Sequence, residues 1–113
     1  MSPSTDHTPD EITPEALAAL RATGEPIQLV DVREPWEAET ASIDGAVLIP
    51  LRQLPARWGE LDPGAPTVTV CHAGVRSAQA RDLLRSIDFE SVSSLGGGID
   101  AWSREVDASV PRY

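Results

Sequence analysis

Residues 67–77 read Thr-Val-Thr-Val-Cys-His-Ala-Gly-Val-Arg-Ser, and this stretch decides most of the expected fold and chemistry. Its first four residues are β-branched and follow Pro66, which is typical of a short buried strand over Thr67–Val70. Ser77 is a residue type that favours a helix N-cap, and apolar residues recur after it with helical spacing. The stretch therefore predicts a strand, a tight loop and a helix from Ala78 to about Ile87.

Cys71, the only cysteine in the chain, lies between this strand and this helix. Unpaired N–H groups of a tight loop and of a helix start converge on an anion, and the helix dipole adds to their effect. We expect these groups and Arg76 to stabilise a thiolate, and Arg76 to donate two hydrogen bonds to a bound oxyanion. Gly74 allows a positive φ in the loop. The pattern predicts a nucleophilic cysteine.

Three segments resemble the rhodanese-like (sulfurtransferase) family. Residues 71–77 match its Cys-x-x-Gly-x-Arg-Ser/Thr loop at every fixed position. Residues 31–37 resemble its Asp-Val-Arg-Glu segment, and residues 95–102 resemble its C-terminal Gly-Gly-x-x-x-Trp segment. The resemblance extends over residues 12–104. It departs from the family at residues 41–42, Ala-Ser, where the family often has Gly-His.

The resemblance implies a sulfurtransferase that works through a persulfide on Cys71. A small-molecule donor such as thiosulfate would supply sulfane sulfur, and cyanide, a thiol or a sulfur-carrier protein would accept it. Asp31 and Arg33 are expected either to support the site from the end of a neighbouring strand or to form a structural ion pair. No cofactor is expected. The residues expected to bind the substrate are His72, Ala73, Gly74, Val75, Arg76 and Ser77.

Two other classes of function stay open at the level of sequence. Rhodanese-like domains also serve as non-catalytic binding or regulatory modules, although an intact Cys71 argues against that role. Cysteine phosphatases of related fold carry a longer loop, whereas four residues separate Cys71 from Arg76 here, so the smaller cradle favours sulfur over phosphate. An arsenate reductase is disfavoured because the chain has no second cysteine.

Composition limits the partners and the compartment. A chain of 113 residues suits one domain, and we expect a monomer. The net charge of −9, with no lysine, argues against nucleic acid as a partner. No long apolar stretch or signal peptide is present, so we expect a cytoplasmic protein without membrane contact. The single cysteine excludes an internal disulfide and forms no metal-ligand pattern with His7 and His72.

The rest of the chain alternates between strands and helices, which predicts an α/β fold with a mostly parallel sheet covered by helices on both faces. In such a sheet the functional loops lie at the carboxyl ends of the strands, where Cys71 falls. The further elements predicted are helices from Pro14 to near Gly24, over Pro35–Thr40, Leu51–Trp58 and Gly98–Val106, and strands over Ile27–Val32, Ala46–Ile49 and Ser91–Leu95.

The domain itself is expected to span residues 12–107. Residues 1–11 are polar and contain two prolines, so they are predicted to be a flexible tail. Residues 108–113 are predicted to be a second tail. Trp36 and Trp102 are expected to pack in the interior, because large aromatic side chains dominate core contacts. The glycine run at 96–98 is expected to form a turn after the last strand, since its spacing matches no nucleotide-binding pattern.

Overall fold

The computed structural model describes residues 8–113, and residues 1–7 lie outside the described part. Within it, five parallel strands form one sheet in the order β1-β5-β4-β2-β3. The predicted α/β fold with a parallel sheet is confirmed. The strands are β1 (Glu11–Ile12), β2 (Gln28–Asp31), β3 (Val47–Leu48), β4 (Thr67–Val70) and β5 (Val92–Leu95).

Helices connect the strands, as parallel pairing requires. Thr13 caps the first helix, since its hydroxyl oxygen accepts a hydrogen bond from the backbone N–H of Ala16 at 3.1 Å. The segment predicted as a short helix at Leu51–Trp58 contains instead one helical turn flanked by 3₁₀ turns at Leu51–Gln53 and Trp58–Glu60. The helices are α1 (Pro14–Ala22), α2 (Pro35–Thr40), α3 (Leu54–Arg57), α4 (Val75–Ser86) and α5 (Gly98–Glu105).

The two faces of the sheet pack against different helices, because successive strand residues point to opposite sides. In β2, Leu29 joins an apolar cluster with Leu17 of α1 and Trp102 of α5. Its neighbour Val30 joins the opposite cluster, which contains Leu84 of α4. The domain is therefore layered as helices, sheet and helices.

The two tryptophans predicted to lie in the interior differ in exposure. Trp102 is 6% exposed in the core, which confirms its predicted position. Trp36 is 63% exposed, so its predicted position is wrong. It lies in the first turn of α2, just beyond the carboxyl end of β2, where its ring meets the edge of Tyr113 with the centroids 6.0 Å apart.

Both predicted tails take part in the fold within the described residues, so those predictions are corrected for 8–11 and 108–113. Glu11 belongs to β1, and the N–H of Ser94 donates to the Asp10 carbonyl at 2.9 Å. At the other end, Val110 is 7% exposed and packs in the Trp102 cluster. The two segments dock through backbone hydrogen bonds and individual side chains. Their sequences therefore show no periodic pattern of apolar residues that would have predicted the docking. The predicted flexibility of residues 1–7 concerns positions outside the described residues.

Among residues 8–113, no helix has both the length and the apolar character needed to cross a membrane.

Candidate active site

The loop after β4 enters its helix earlier than the sequence predicts. Helix α4 begins at Val75 rather than Ala78, and Gly74 rather than Ser77 occupies the N-cap position. Gly74 adopts φ 115° and ψ −7°, a left-handed conformation that turns the chain directly into the helix. The predicted cap at Ser77 is therefore wrong, and Ser77 lies fully buried in the first helical turn.

Cys71 lies at the carboxyl end of β4 and is 1% exposed. The backbone N–H of Gly74 donates to its Sγ at 3.1 Å. The thiol in turn lies 3.4 Å from the Ser77 hydroxyl oxygen, which accepts from it. Thr69 fixes this first turn of α4 by donating its hydroxyl to the Ser77 carbonyl at 2.7 Å. A loop N–H aimed at Sγ stabilises negative charge on sulfur.

The start of α5 holds the loop from behind. The N–H of Ile99 donates to the Cys71 carbonyl at 2.8 Å, and the N–H of Asp100 donates to the His72 carbonyl at 3.1 Å. A Cβ at Gly98 would collide with both of these carbonyl oxygens, so only glycine permits the approach. The predicted turn is confirmed at Gly96 and Gly97, whereas Gly98 begins α5 and supports the loop, which sequence reasoning missed.

Arg76 forms a bidentate ion pair with Glu37 of α2. Its Nη1 and Nη2 donate to the two carboxylate oxygens of Glu37 at 2.6 and 2.9 Å. The Glu37 side chain is only 5% exposed, and the hydrogen bonds from Arg76 lower the pKa of Glu37 from 4.5 to about 2. The same bonds raise the pKa of Arg76, and the nearby charge of Cys71 adds to this effect. Both Nη groups of Arg76 are therefore engaged by Glu37, whereas the sequence predicts that they donate to a bound oxyanion.

Glu37 was missed by sequence reasoning, although it lies inside a quoted motif segment. Its backbone position follows from a capping box at the start of α2, in which its carboxylate accepts from the Glu34 N–H at 2.9 Å. A glutamate three residues after an N-cap normally serves the cap alone. Here the same carboxylate also binds Arg76, a contact between residues 39 positions apart.

Asp31 and Arg33 form a fully buried ion pair beside the loop. The Nε and Nη2 of Arg33 donate to the carboxylate of Asp31 at 2.9 and 2.7 Å. Arg33 Nη2 also donates to the Ala41 carbonyl at 2.6 Å. Asp31 is the register partner of Val70 in β4, so the pair lies one strand away from Cys71. The pair therefore lies in the interior, beside the strand that leads to Cys71.

Tyr113 enters the same region from the end of the described chain. Its hydroxyl accepts from Arg33 Nη1 at 2.9 Å and donates to Glu37 Oε1 at 2.8 Å. Its ring lies 4.4 Å from the ring of His72, centroid to centroid. Sequence reasoning missed this residue, because no motif or periodic pattern includes it.

The remaining loop residues differ in exposure. His72 is half-buried, and among the described residues its Nδ1 is the one buried side-chain polar atom without a hydrogen-bond partner. Ala73 is exposed, and Val75 is 72% exposed. Trp36, which is also exposed, reaches this region through its contact with Tyr113. In the described part of the chain, no cluster of three or more His, Cys, Asp or Glu residues could hold a metal ion.

The family model of the rhodanese-like domain matches residues 13–105. The chain belongs to the rhodanese-like family. It is 36% identical over 95 residues to a protein named sulfurtransferase from Allochromatium vinosum, covering 84% of this chain and 89% of that protein. A crystal structure of a rhodanese-like domain protein from Staphylococcus aureus superposes with a TM-score of 0.80 at 28% identity, covering 93% of this chain and 99% of that one.

Some rhodanese-like relatives are much longer than this chain. It is 44% identical over 90 residues to the chloroplastic rhodanese-like/PpiC domain-containing protein 12 of Arabidopsis thaliana. The match covers 76% of this chain and 30% of that protein. The resemblance seen in the three sequence segments is confirmed as membership of the rhodanese-like family.

The Glu37–Arg76 pair predicts a pH-dependent contribution to stability. Because the pKa of Glu37 falls from 4.5 to about 2 on folding, its stabilisation is complete above pH 4.5 and is lost as the pH falls through about 2. We expect Glu37→Gln to lower the free energy of unfolding at pH 7 by on the order of 3 kcal/mol, and the difference from wild type to shrink toward pH 2. Urea unfolding at several pH values measures this.

The matched control for this prediction is Glu60→Gln. Glu60 also pairs with an arginine, Arg57, but its side chain is 51% exposed. Solvent screens such a pair, so we expect the free energies of unfolding of wild type and Glu60→Gln to differ much less, and to differ by a similar amount across the same pH range. A constant difference between wild type and Glu37→Gln from pH 7 to pH 2 would contradict the assignment.

Proposed function

We propose that this protein transfers sulfane sulfur through a persulfide on Cys71, with thiosulfate as a donor. The observation that carries the proposal is the Gly74 N–H directed at Sγ of the only cysteine at 3.1 Å, within a loop that places four residues before Arg76. This cradle is small, and a single sulfur atom added to Sγ would extend the charge that the loop already stabilises.

In the first half-reaction the Cys71 thiolate attacks the outer sulfur of thiosulfate. A new S–S bond forms to Cys71, the sulfur–sulfur bond of thiosulfate breaks, and sulfite leaves with the electron pair. No proton is taken up or released when thiolate and persulfide are both anionic. The product is a Cys71 persulfide with its terminal sulfur in the loop.

In the second half-reaction a nucleophile attacks the terminal sulfur and the Cys71 thiolate leaves. With cyanide the product is thiocyanate, and with a thiol it is a new persulfide. Since Cys71 is the only cysteine, a resolving thiol has to come from another molecule. We propose a thiol or a sulfur-carrier protein as the acceptor, approaching over the exposed Val75 and Trp36 beside the loop.

The charges of the protein affect how readily a dianionic donor approaches Cys71. The chain carries a net charge of −9, and the charge of Arg76 is shared with Glu37. The loop N–H groups and the N-terminus of α4 therefore supply much of the local positive potential, together with the partly exposed Arg76.

The experiment is to expose the reduced protein to thiosulfate and measure its mass and the thiocyanate formed on adding cyanide. We expect an adduct of about +32 Da, one sulfur atom, and catalytic thiocyanate formation. Protein alkylated at Cys71 with iodoacetamide is the control and should give neither signal. If glutathione persulfide loads the protein and thiosulfate does not, the donor assignment is wrong. If neither donor loads it, sulfur transfer is contradicted and a binding module is favoured.

A further inference from the structure

The segment after α5 is anchored at two points before it reaches the site. The hydroxyl of Ser103 donates to the Val110 carbonyl at 2.5 Å, and Val110 is buried in the core. The Nε of Arg112 donates to Asp100 Oδ1 of α5 at 3.2 Å. These contacts fix the direction of the segment, so that the next residue, Tyr113, is placed against the loop.

The Tyr113 hydroxyl joins two ion pairs. It accepts from Arg33 Nη1 at 2.9 Å and donates to Glu37 Oε1 at 2.8 Å. Glu37 Oε1 also accepts from Arg76 Nη2 at 2.9 Å, and Arg33 is bonded to Asp31. A continuous series of hydrogen bonds therefore runs from β2 through Tyr113 to the first turn of α4.

A phenol hydroxyl suits this position because it accepts one hydrogen bond and donates another, whereas a guanidinium only donates and a carboxylate only accepts. It gives Glu37 Oε1 a second donor in addition to Arg76. With two donors on Oε1 and a backbone donor on Oε2, the Glu37 carboxylate is restrained in position. The guanidinium plane of Arg76 is restrained with it, because the pair is bidentate.

We propose that Tyr113 is a positioning residue for sulfur loading: through Glu37 it holds the Arg76 guanidinium where the negative charge of the donor arrives at Cys71. Tyr113 does not touch the reacting atoms. Its ring packs on His72 and its hydroxyl acts through the Glu37–Arg76 pair. The inference rests on the proposed function and adds a residue that lies outside all three motif segments.

The test separates the effect on an anionic donor from the effect on the thiol itself. Tyr113→Phe keeps the ring against His72 and removes the hydroxyl. Two rates are measured: sulfur loading of Cys71 from thiosulfate, and alkylation of Cys71 by iodoacetamide, which is uncharged. We expect the rate of sulfur loading to fall about tenfold, which is the effect expected from the loss of one hydrogen bond to a charged group. We expect alkylation to change by less than about threefold, because iodoacetamide brings no negative charge and the Gly74 N–H that stabilises the thiolate is unchanged.

Arg104→Ala is the matched control. It removes an exposed side chain that pairs with the same Asp100, and it leaves both anchors of the segment and the Tyr113 hydroxyl in place. We expect both rates to stay within about twofold of wild type, as for an exposed ion pair.

Three outcomes overturn the inference. Equal falls in loading and alkylation, accompanied by a lower Tm, would assign Tyr113 to stability alone. A Tyr113→Phe variant that loads as fast as a functional wild type would overturn the inference and leave the proposed function intact. A wild type that does not load from thiosulfate would overturn the donor proposal and this inference together.

Discussion

Replacement of Cys71 by serine is expected to abolish the sulfur adduct and to lower thiocyanate formation at least about 10³-fold. The serine hydroxyl is not ionised at neutral pH and does not hold a transferable sulfane sulfur. The site itself should persist, since the oxygen occupies the place of Sγ and the Gly74 N–H still finds an acceptor there. Mass spectrometry after thiosulfate exposure and the cyanide assay measure the loss.

Ser109→Ala provides the control for this prediction. Ser109 is exposed, and its hydroxyl bonds only to Asp107 among the contacts seen in the described residues, far from the loop in sequence. We expect it to load and transfer sulfur at the wild-type rate. A Cys71→Ser protein that keeps more than about a tenth of wild-type activity would contradict nucleophilic catalysis by Cys71.

Replacement of Arg33 by methionine is expected to lower the free energy of unfolding by about 3–5 kcal/mol, the cost of leaving a buried charge without its partner. Arg33 is fully buried, and its removal strips Asp31 of two hydrogen bonds at 2.9 and 2.7 Å. The Ala41 carbonyl and the Tyr113 hydroxyl lose donors as well. Urea unfolding at pH 7 measures the effect.

A double variant distinguishes the ion pair from simple loss of packing. Asp31→Leu combined with Arg33→Met removes both charges, so we expect it to recover about half of the loss. The remainder is due to the donors that the Ala41 carbonyl and the Tyr113 hydroxyl lose, although Tyr113 keeps its bond to Glu37. Arg52→Met serves as the surface control. Arg52 is 63% exposed in its pair with Glu34, and its replacement should cost less than about 1 kcal/mol. Equal losses for Arg33→Met and Arg52→Met would contradict the prediction.

The strand, loop and nucleophile around Cys71 could be predicted because their signals are local. The β-branched run over Thr67–Val70 and the glycine at position 74 each specify the backbone near themselves. The start of α4 was misplaced because a serine at 77 and a glycine at 74 both suit a helix start, and pattern alone does not choose between them. The turn requires a positive φ at the N-cap, which glycine adopts without a steric clash, so the helix begins after Gly74.

The supporting network could not be predicted because its partners lie far apart in the chain. Glu37 meets Arg76 across 39 positions, and Tyr113 meets Arg33 across 80. Periodicity and capping patterns describe neighbours within a few residues, so they hold no information about such contacts. Strand β1 could not be predicted for a related reason. It has only two residues, and it is defined by its pairing with the edge of β5, which is distant in the chain.

Tyr113 contacts residues that lie far before it in the chain, and this separation sets the order in which parts of the site are synthesised. Arg33 and Glu37 emerge 80 and 76 residues before the hydroxyl that bridges them, and the Cys71 loop also precedes it. A nascent chain therefore carries its nucleophile before the bridge between the two ion pairs exists. The bridge therefore depends on a residue that follows, in the chain, all the residues that it joins.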